Sequence, residues 1–209
     1  MASLLLETLF PMRCGICGLT GCGALCEDCR DLLELRGSPL QDFPDSQGTD
    51  SISAPVFYRA YGGVCVRRLK FDRRTQLAEP MAQLIHQFAW SKSFSRADAL
   101  VPVPLHWLRK STRGFNQSQL LAAHLEDFTG KTVREDLLKR VRYTRPQSRM
   151  RHDRRLANVQ GAFLASNCEN LHLVLVDDVY GTGQTVAECA RALKHAGARR
   201  VDTVVFAQA

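Results

Sequence analysis

Residues 171–185, LHLVLVDDVYGTGQT, restrict the fold more than any other part of this chain. A continuous apolar run without polar alternation is the pattern of a strand buried on both faces, and such strands belong to parallel sheets covered by helices. The run reaches Asp177 and Asp178, passes through a Gly/Thr loop, and enters a segment with Val186, Ala190 and Leu193 on one helical face, stopped near Gly197. Residues 201–207, VDTVVFA, then read as a last buried strand. Strand–helix–strand alternation with Val and Leu runs gives the class: α/β, a parallel sheet flanked by helices.

The upstream half fits the same scheme. APVFYRAY (54–61) reads as a strand, and Leu77, Met81, Leu84, Ile85 and Phe88 share one helical face. DALVPVP (98–104) is a short strand ending in prolines, and Leu121, Leu125 and Phe128 mark another helix with Gly130 at its C′ position. DLLELRG (31–37) reads as a short helix, and the aperiodic stretch 38–53 as a linker. The expected division is a four-cysteine unit over 1–37, a linker over 38–53 and a sheet domain over 54–209.

Ligands of open α/β sheets collect at the carboxyl ends of strands, which is where Asp177 and Asp178 are expected. Small residues let backbone approach a phosphate, and the N–H groups opening the next helix point at it. Thr182 and Thr185 can add hydroxyl donors. Two carboxylates repel a phosphate, so they are expected to face another part of the ligand, such as sugar hydroxyls or a metal. The loop lacks the G-K-[ST] of a Walker A motif and the G-x-G-x-x-G of a dinucleotide site.

No apolar run approaches the roughly 18–20 residues of a membrane span. The first residues make a poor signal peptide because Glu7 interrupts them. The expected compartment is the cytoplasm, where thiols stay reduced. Five of the eight cysteines nevertheless crowd into sixteen residues, as two C-x2-C knuckles with Cys22 between them. Cys14, Cys17, Cys26 and Cys29 have the spacing of a structural zinc site, with Gly15, Gly18, Gly21 and Gly23 expected to supply positive φ in the turns. A redox C-x-x-C and buried free cysteines are the competing readings.

The net charge is +7, but residues 1–50 carry 3 − 8 = −5, leaving +12 on residues 51–209. The stretch 139–155, KRVRYTRPQSRMRHDRR, alone carries 8 − 1 = +7. Its cations Arg145, Arg149, Arg151, Arg154 and Arg155 stand near Tyr143, and Arg109 and Lys110 stand near Trp107 and Phe115. Cations interleaved with rings suit single-stranded nucleic acid; a solvated charge run is the plainer alternative.

The segment 173–185 resembles the signature of type I phosphoribosyltransferases. VPVPLHWLRKSTRGFNQSQLLA (101–122), RPQSRMRHDRRLANVQGAF (145–163) and RRLKF (67–71) together resemble the ComF family, a phosphoribosyltransferase fold with a small N-terminal zinc-ribbon-like unit. The resemblance implies that Asp177 and Asp178 hold the ribose hydroxyls of PRPP (phosphoribosyl pyrophosphate) and form the catalytic pair if there is one. It implies that Val179, Tyr180, Gly181, Thr182, Gly183, Gln184 and Thr185 line the 5′-phosphate site, with Arg113 at the pyrophosphate. Gly181 departs from the pattern, since many members carry Thr there. Basic loops corresponding to 139–155 close over the site in related enzymes. Implied too are structural zinc, Mg²⁺ with PRPP or a related sugar phosphate, and single-stranded DNA as a partner along with other DNA-uptake proteins. Two functions follow: a protein that handles incoming DNA in natural transformation and binds PRPP, or a Mg²⁺-dependent transferase passing the phosphoribosyl group to an unknown acceptor.

Overall fold

The computed structural model describes residues 11–36, 48–89, 93–105, 111–142 and 160–209. In chain order these form α1 (Glu27–Asp31), β1 (Ser51–Ser53), β2 (Val56–Phe57), α2 (Ala60–Phe71), a 3-10 turn (Thr75–Leu77) and α3 (Ala78–Ala89). Then come β3 (Ala99–Pro102), α4 (Gln117–Thr129), β4 (Leu138–Arg140), β5 (Phe163–Ala165), β6 (His172–Tyr180), α5 (Gln184–His195) and β7 (Arg200–Gln208).

The main sheet is parallel in the order β1-β7-β6-β3, with β2 continuing past β1 along the same edge of β7. β6 and β7 are central and buried along almost their whole length. That is why both read as unbroken apolar runs. On one face Val174, Val176, Val204 and Phe206 pack with Leu69, Met81, Ile85, Leu121 and Leu125 from α2, α3 and α4. On the other, Leu173, Leu175, Val201 and Val205 meet Val186, Ala190 and Leu193 of α5, and Leu138 and Phe163 of the antiparallel β4–β5 pair.

Four local expectations are corrected. Residues 51–53, read as linker, are β1, bonded to β7 with Ile52 opposite Thr203. The strand read over 54–61 is only Val56–Phe57, and a helix starts at Ala60. The helix read over 31–37 lies earlier, at Glu27–Asp31, inside the second cysteine knuckle; the chain then extends, and Leu35 bridges to Val56. The acids do not end their strand, because β6 runs on to Tyr180, where Val179 and Tyr180 pair with Ala207 and Gln208 of β7.

The sequence carries little helical signal at the start of α2, because Gly62 and Gly63 are poor helix formers. Packing explains them. A Cβ at Gly62 would stand 2.1 Å from the Phe57 carbonyl oxygen, and one at Gly63 2.4 Å from that of Tyr58. The glycines let the first turn of α2 press against the end of β2.

Candidate sugar-phosphate site and metal centre

On its β3 side, β6 loses its partner just before the acids: Pro102 is the last residue in register, opposite Val176, and Val103 N donates to Val176 O (2.9 Å). Asp177 and Asp178 therefore sit where a gap opens between neighbouring strands. The N-terminus of α4 stands over this gap. Its cap is Asn116, whose side-chain oxygen accepts from Ser118 N (3.1 Å) while its amide donates to Val103 O (3.0 Å). One side chain thus caps the helix and pins it to the end of β3.

Ser118 Oγ donates to Asp177 Oδ1 (2.8 Å), which also accepts from Asp178 N (2.9 Å). Burial, and then the Asp178 carboxylate, push the Asp177 pKa up to about 7, against the opposing pull of Lys70, Ser118 and the Asp178 N–H. Lys70, near the end of α2, brings its ammonium to 2.5 Å from Asp178 Oδ2. The contact is an ion pair, and Asp178 Oδ2 has no hydrogen-bond partner within the protein. Gln184 Oε1, at the start of α5, is a second buried acceptor in that condition. Buried oxygens of this kind are costly unless something donates to them. Sugar hydroxyls have that chemistry.

Of the residues 179–185 expected to line the phosphate site, only 181–183 form the loop; Val179 and Tyr180 close β6, and Gln184 and Thr185 open α5. Gly183 takes the left-handed conformation (φ 73°) and offers α5 no side-chain cap. At Gly181 a Cβ would meet nothing within 4 Å, and its φ is not positive. Neither packing nor backbone demands glycine there. The open space beside an uncapped helix start is what a phosphate needs.

Arg113 lies just before α4 and donates to Gln117 Oε1 (2.6 Å), with its guanidinium 5.5 Å from the centre of the Phe71 ring. It stands beside the end of α2 that supplies Lys70. Sequence reasoning gave no role to Lys70 or Ser118. Lys70 lay within the RRLKF block, and Ser118 is two residues past a recognisable helix cap, but only the packing of α2 and α4 against β6 brings them to the acids. Of the expected nucleic-acid residues, Arg109, Lys110, Tyr143, Arg145, Arg149, Arg151, Arg154 and Arg155 lie outside the described residues. Lys139 and Arg140, the start of that basic stretch, are in β4 rather than a loop.

The sulfurs of Cys14, Cys17, Cys26 and Cys29 all lie within 4.8 Å of one another, with Cys17 and Cys26 3.6 Å apart. A tetrahedral ion with bonds of ~2.3 Å spaces its ligands by about 3.8 Å, so the set fits a metal such as zinc. Ile16 N and Cys26 N donate to Cys14 Sγ (3.4 and 3.5 Å). Burial opposes charge on Cys14, but the N–H groups of Cys26, Cys17 and Ile16 outweigh it and bring the thiol down to about 6. Cys29 moves the other way, raised by burial and then by the sulfurs of Cys26, Cys17 and Cys14. Four sulfurs this close cannot all be thiolates without a cation among them. Cys22 points instead at Leu19 O (3.2 Å) and stays outside the set. Gly15 has no positive φ; it lies where a Cβ would meet Leu77 at 2.5 Å. Close packing against the 3-10 turn, not turn geometry, is what requires it.

The phosphoribosyl transferase domain family matches residues 81–209, from α3 to the end of β7. The DNA utilization protein YhgH of Salmonella typhimurium is 37% identical over 170 residues, covering 79% of this chain and 74% of that protein. Competence protein F of Haemophilus influenzae is 27% identical over 154 residues (70% and 67%). Competence protein ComFC of Bacillus subtilis is 30% identical over 123 residues (56% and 49%). The chain belongs to the ComF family. Its phosphoribosyltransferase domain is the parallel sheet described above, and the ComF four-cysteine element is the set that fits a metal. Among the described residues, no helix is long and apolar enough to cross a membrane.

Proposed function

We propose that this ComF-family chain binds PRPP or a related sugar phosphate as its Mg²⁺ complex, binds single-stranded DNA, and serves in the cytoplasm in the handling of DNA taken up during natural transformation. The observation that carries the first part is the pair of buried acids at the open edge of β6. Asp178 Oδ2, paired with the Lys70 ammonium, has no hydrogen-bond partner within the protein, and the acids stand three residues before a glycine loop whose open space adjoins a helix start. Ribose hydroxyls donating to Asp177 and Asp178, with the 5′-phosphate at residues 181–185, would satisfy both features. Mg²⁺ would enter with the pyrophosphate, near Arg113. Zinc on Cys14, Cys17, Cys26 and Cys29 would supply the folding free energy that a segment this short cannot draw from its own core.

The DNA part rests on the charge distribution and on relatives named for DNA utilization and competence. Other proteins of DNA uptake would be its further partners.

Calorimetric titration with Mg²⁺–PRPP tests the site. Asp178→Asn should weaken binding, because a ribose hydroxyl would lose a charged acceptor worth ~1.5–3 kcal/mol. Equal affinity in wild type and the Asp177→Asn/Asp178→Asn double variant would place the ligand elsewhere. Single-stranded DNA is tested by anisotropy across a salt series. Replacing Arg149, Arg151, Arg154 and Arg155 should flatten the slope of log K on log salt by up to about 3.

A second reading, phosphoribosyl transfer to an acceptor, is favoured by the burial of Asp177 beside Asp178, which pushes its carboxyl up toward the range where it exchanges protons at neutral pH. In that reaction the bond from ribose C1 to pyrophosphate breaks as a bond to the acceptor forms. Pyrophosphate release from PRPP with candidate acceptors separates the two readings.

A further inference from the structure

We propose that the C-terminal end of α2 is a contact site for single-stranded DNA, with Phe71 stacking on an unpaired base and the surrounding cations meeting the flanking phosphates. This rests on the single-stranded DNA reading above, but it puts a contact on residues which that reading left without a role.

Phe71 is 69% exposed, the most exposed large apolar side chain among the described residues. One exposed ring is ordinary; its surroundings are not. Residues 67–74, RRLKFDRR, carry 5 − 1 = +4 across the end of α2 and the turn that follows it. Arg67 and Arg68 precede Phe71 by four and three positions, so they share its side of the helix. Beyond the ring the chain folds back on the helix end, as Asp72 N and Arg74 N both donate to Arg68 O (3.1 and 3.2 Å), with Arg73 in the left-handed region (φ 53°). This turn keeps Arg73 and Arg74, both exposed, beside the ring. Arg73 also donates to Thr112 O (3.4 Å), which ties the helix end to the segment bearing Arg113, and the Arg113 guanidinium lies 5.5 Å from the centre of the Phe71 ring.

A helix C-terminus favours one or two cations by its dipole. It does not call for the four arginines Arg67, Arg68, Arg73 and Arg74, nor for a phenyl ring among them. An aromatic face bordered by guanidinium groups holds a nucleobase by stacking, while neighbouring cations neutralise phosphates. Bases of a duplex are already paired and stacked, so the fitting polymer is single-stranded. An acidic peptide would satisfy the charges but leave the ring unused. Lys70 turns away from this surface to Asp178, so a strand lying on Phe71 would run beside the acid pair.

The test uses the whole 209-residue chain loaded with zinc and a fluorescein-labelled oligothymidylate, read by anisotropy. Phe71→Ala should weaken binding about 5- to 150-fold with the salt slope unchanged. Phe71→Trp should restore it. Arg73→Gln with Arg74→Gln should instead flatten the slope by up to about 1.4. An oligonucleotide carrying 5-iododeoxyuridine should crosslink at Phe71 on irradiation. Circular dichroism checks that each variant keeps its fold. If wild type binds and Phe71→Ala binds as well, with crosslinks elsewhere, the platform is refuted while single-stranded DNA binding stands. If wild type does not bind oligothymidylate, both fall. Equal competition by polyglutamate or duplex DNA, or tighter Phe71-dependent binding of oligouridylate, would also overturn the assignment.

Discussion

Asp177→Asn should make this protein more stable, and the gain should grow with pH. Burial and the Asp178 carboxylate raise Asp177 from 3.8 to about 7, so between those values the folded chain holds a proton that the unfolded chain has released. Stability falls with pH wherever the native state binds more protons. The cost is absent below the unfolded value, grows at ~1.36 kcal/mol per pH unit, and becomes constant above about 7. It therefore amounts to about 2 kcal/mol at pH 5.5 and about 4 kcal/mol at pH 8.5.

The substitution is close to isosteric. The amide oxygen it introduces can still accept from Ser118 Oγ and Asp178 N, the two donors that now meet Asp177 Oδ1. Urea denaturation followed by circular dichroism at pH 5.5 and 8.5 would measure the effect. With a slope of ~1–3 kcal/mol per molar urea, the midpoint should move up at both pH values, by about twice as much at the higher one. Calorimetry on the same sample should show weaker Mg²⁺–PRPP binding. Stability gained as function is lost is the expected mark of a strained ligand site. A variant that is no more stable than wild type at pH 8.5, or whose gain is larger at pH 5.5, would refute the reasoning.

Cys26→Ser with Cys29→Ser should abolish stoichiometric zinc by elemental analysis. Because Cys14, Ile16, Cys26, Cys29 and Leu33 share a core with α2 and α3, the thermal midpoint of the sheet domain should fall as well. Gly62→Ala puts a Cβ 2.1 Å from a backbone oxygen and should cost about 3 kcal/mol in denaturation, whereas Gly181→Ala meets open space and should leave stability unchanged while weakening PRPP. Asn116→Ala removes the α4 cap and the bond to Val103 O, and should cost ~2 kcal/mol by the same assay.

The sequence by itself determined the parts of this protein whose signals are local. β6 and β7 are central strands, so burial on both faces writes an unbroken apolar run into each. α3 and α4 show their buried stripes, and Gly130 takes the left-handed cap (φ 67°) expected of it. Four sulfurs gather because two knuckles lie nine residues apart, from Cys17 to Cys26. Tertiary structure decided what depends on partners distant in the chain. Ser51–Ser53 reads as linker because two of its three residues are polar; pairing with β7 buries it, with Ser51 Oγ donating to Asp202 (2.7 Å) and the neighbouring Thr49 Oγ1 facing Thr203 Oγ1 (2.9 Å). α2 defies helix propensity because its glycines face the backbone of residues 57 and 58, contacts no helical window contains. Lys70 and Ser118 reach the acids from 108 and 59 residues away, respectively (178 − 70 and 177 − 118). A charge or a hydroxyl on a helix is mute about its target, because the target is set by how that helix crosses the sheet.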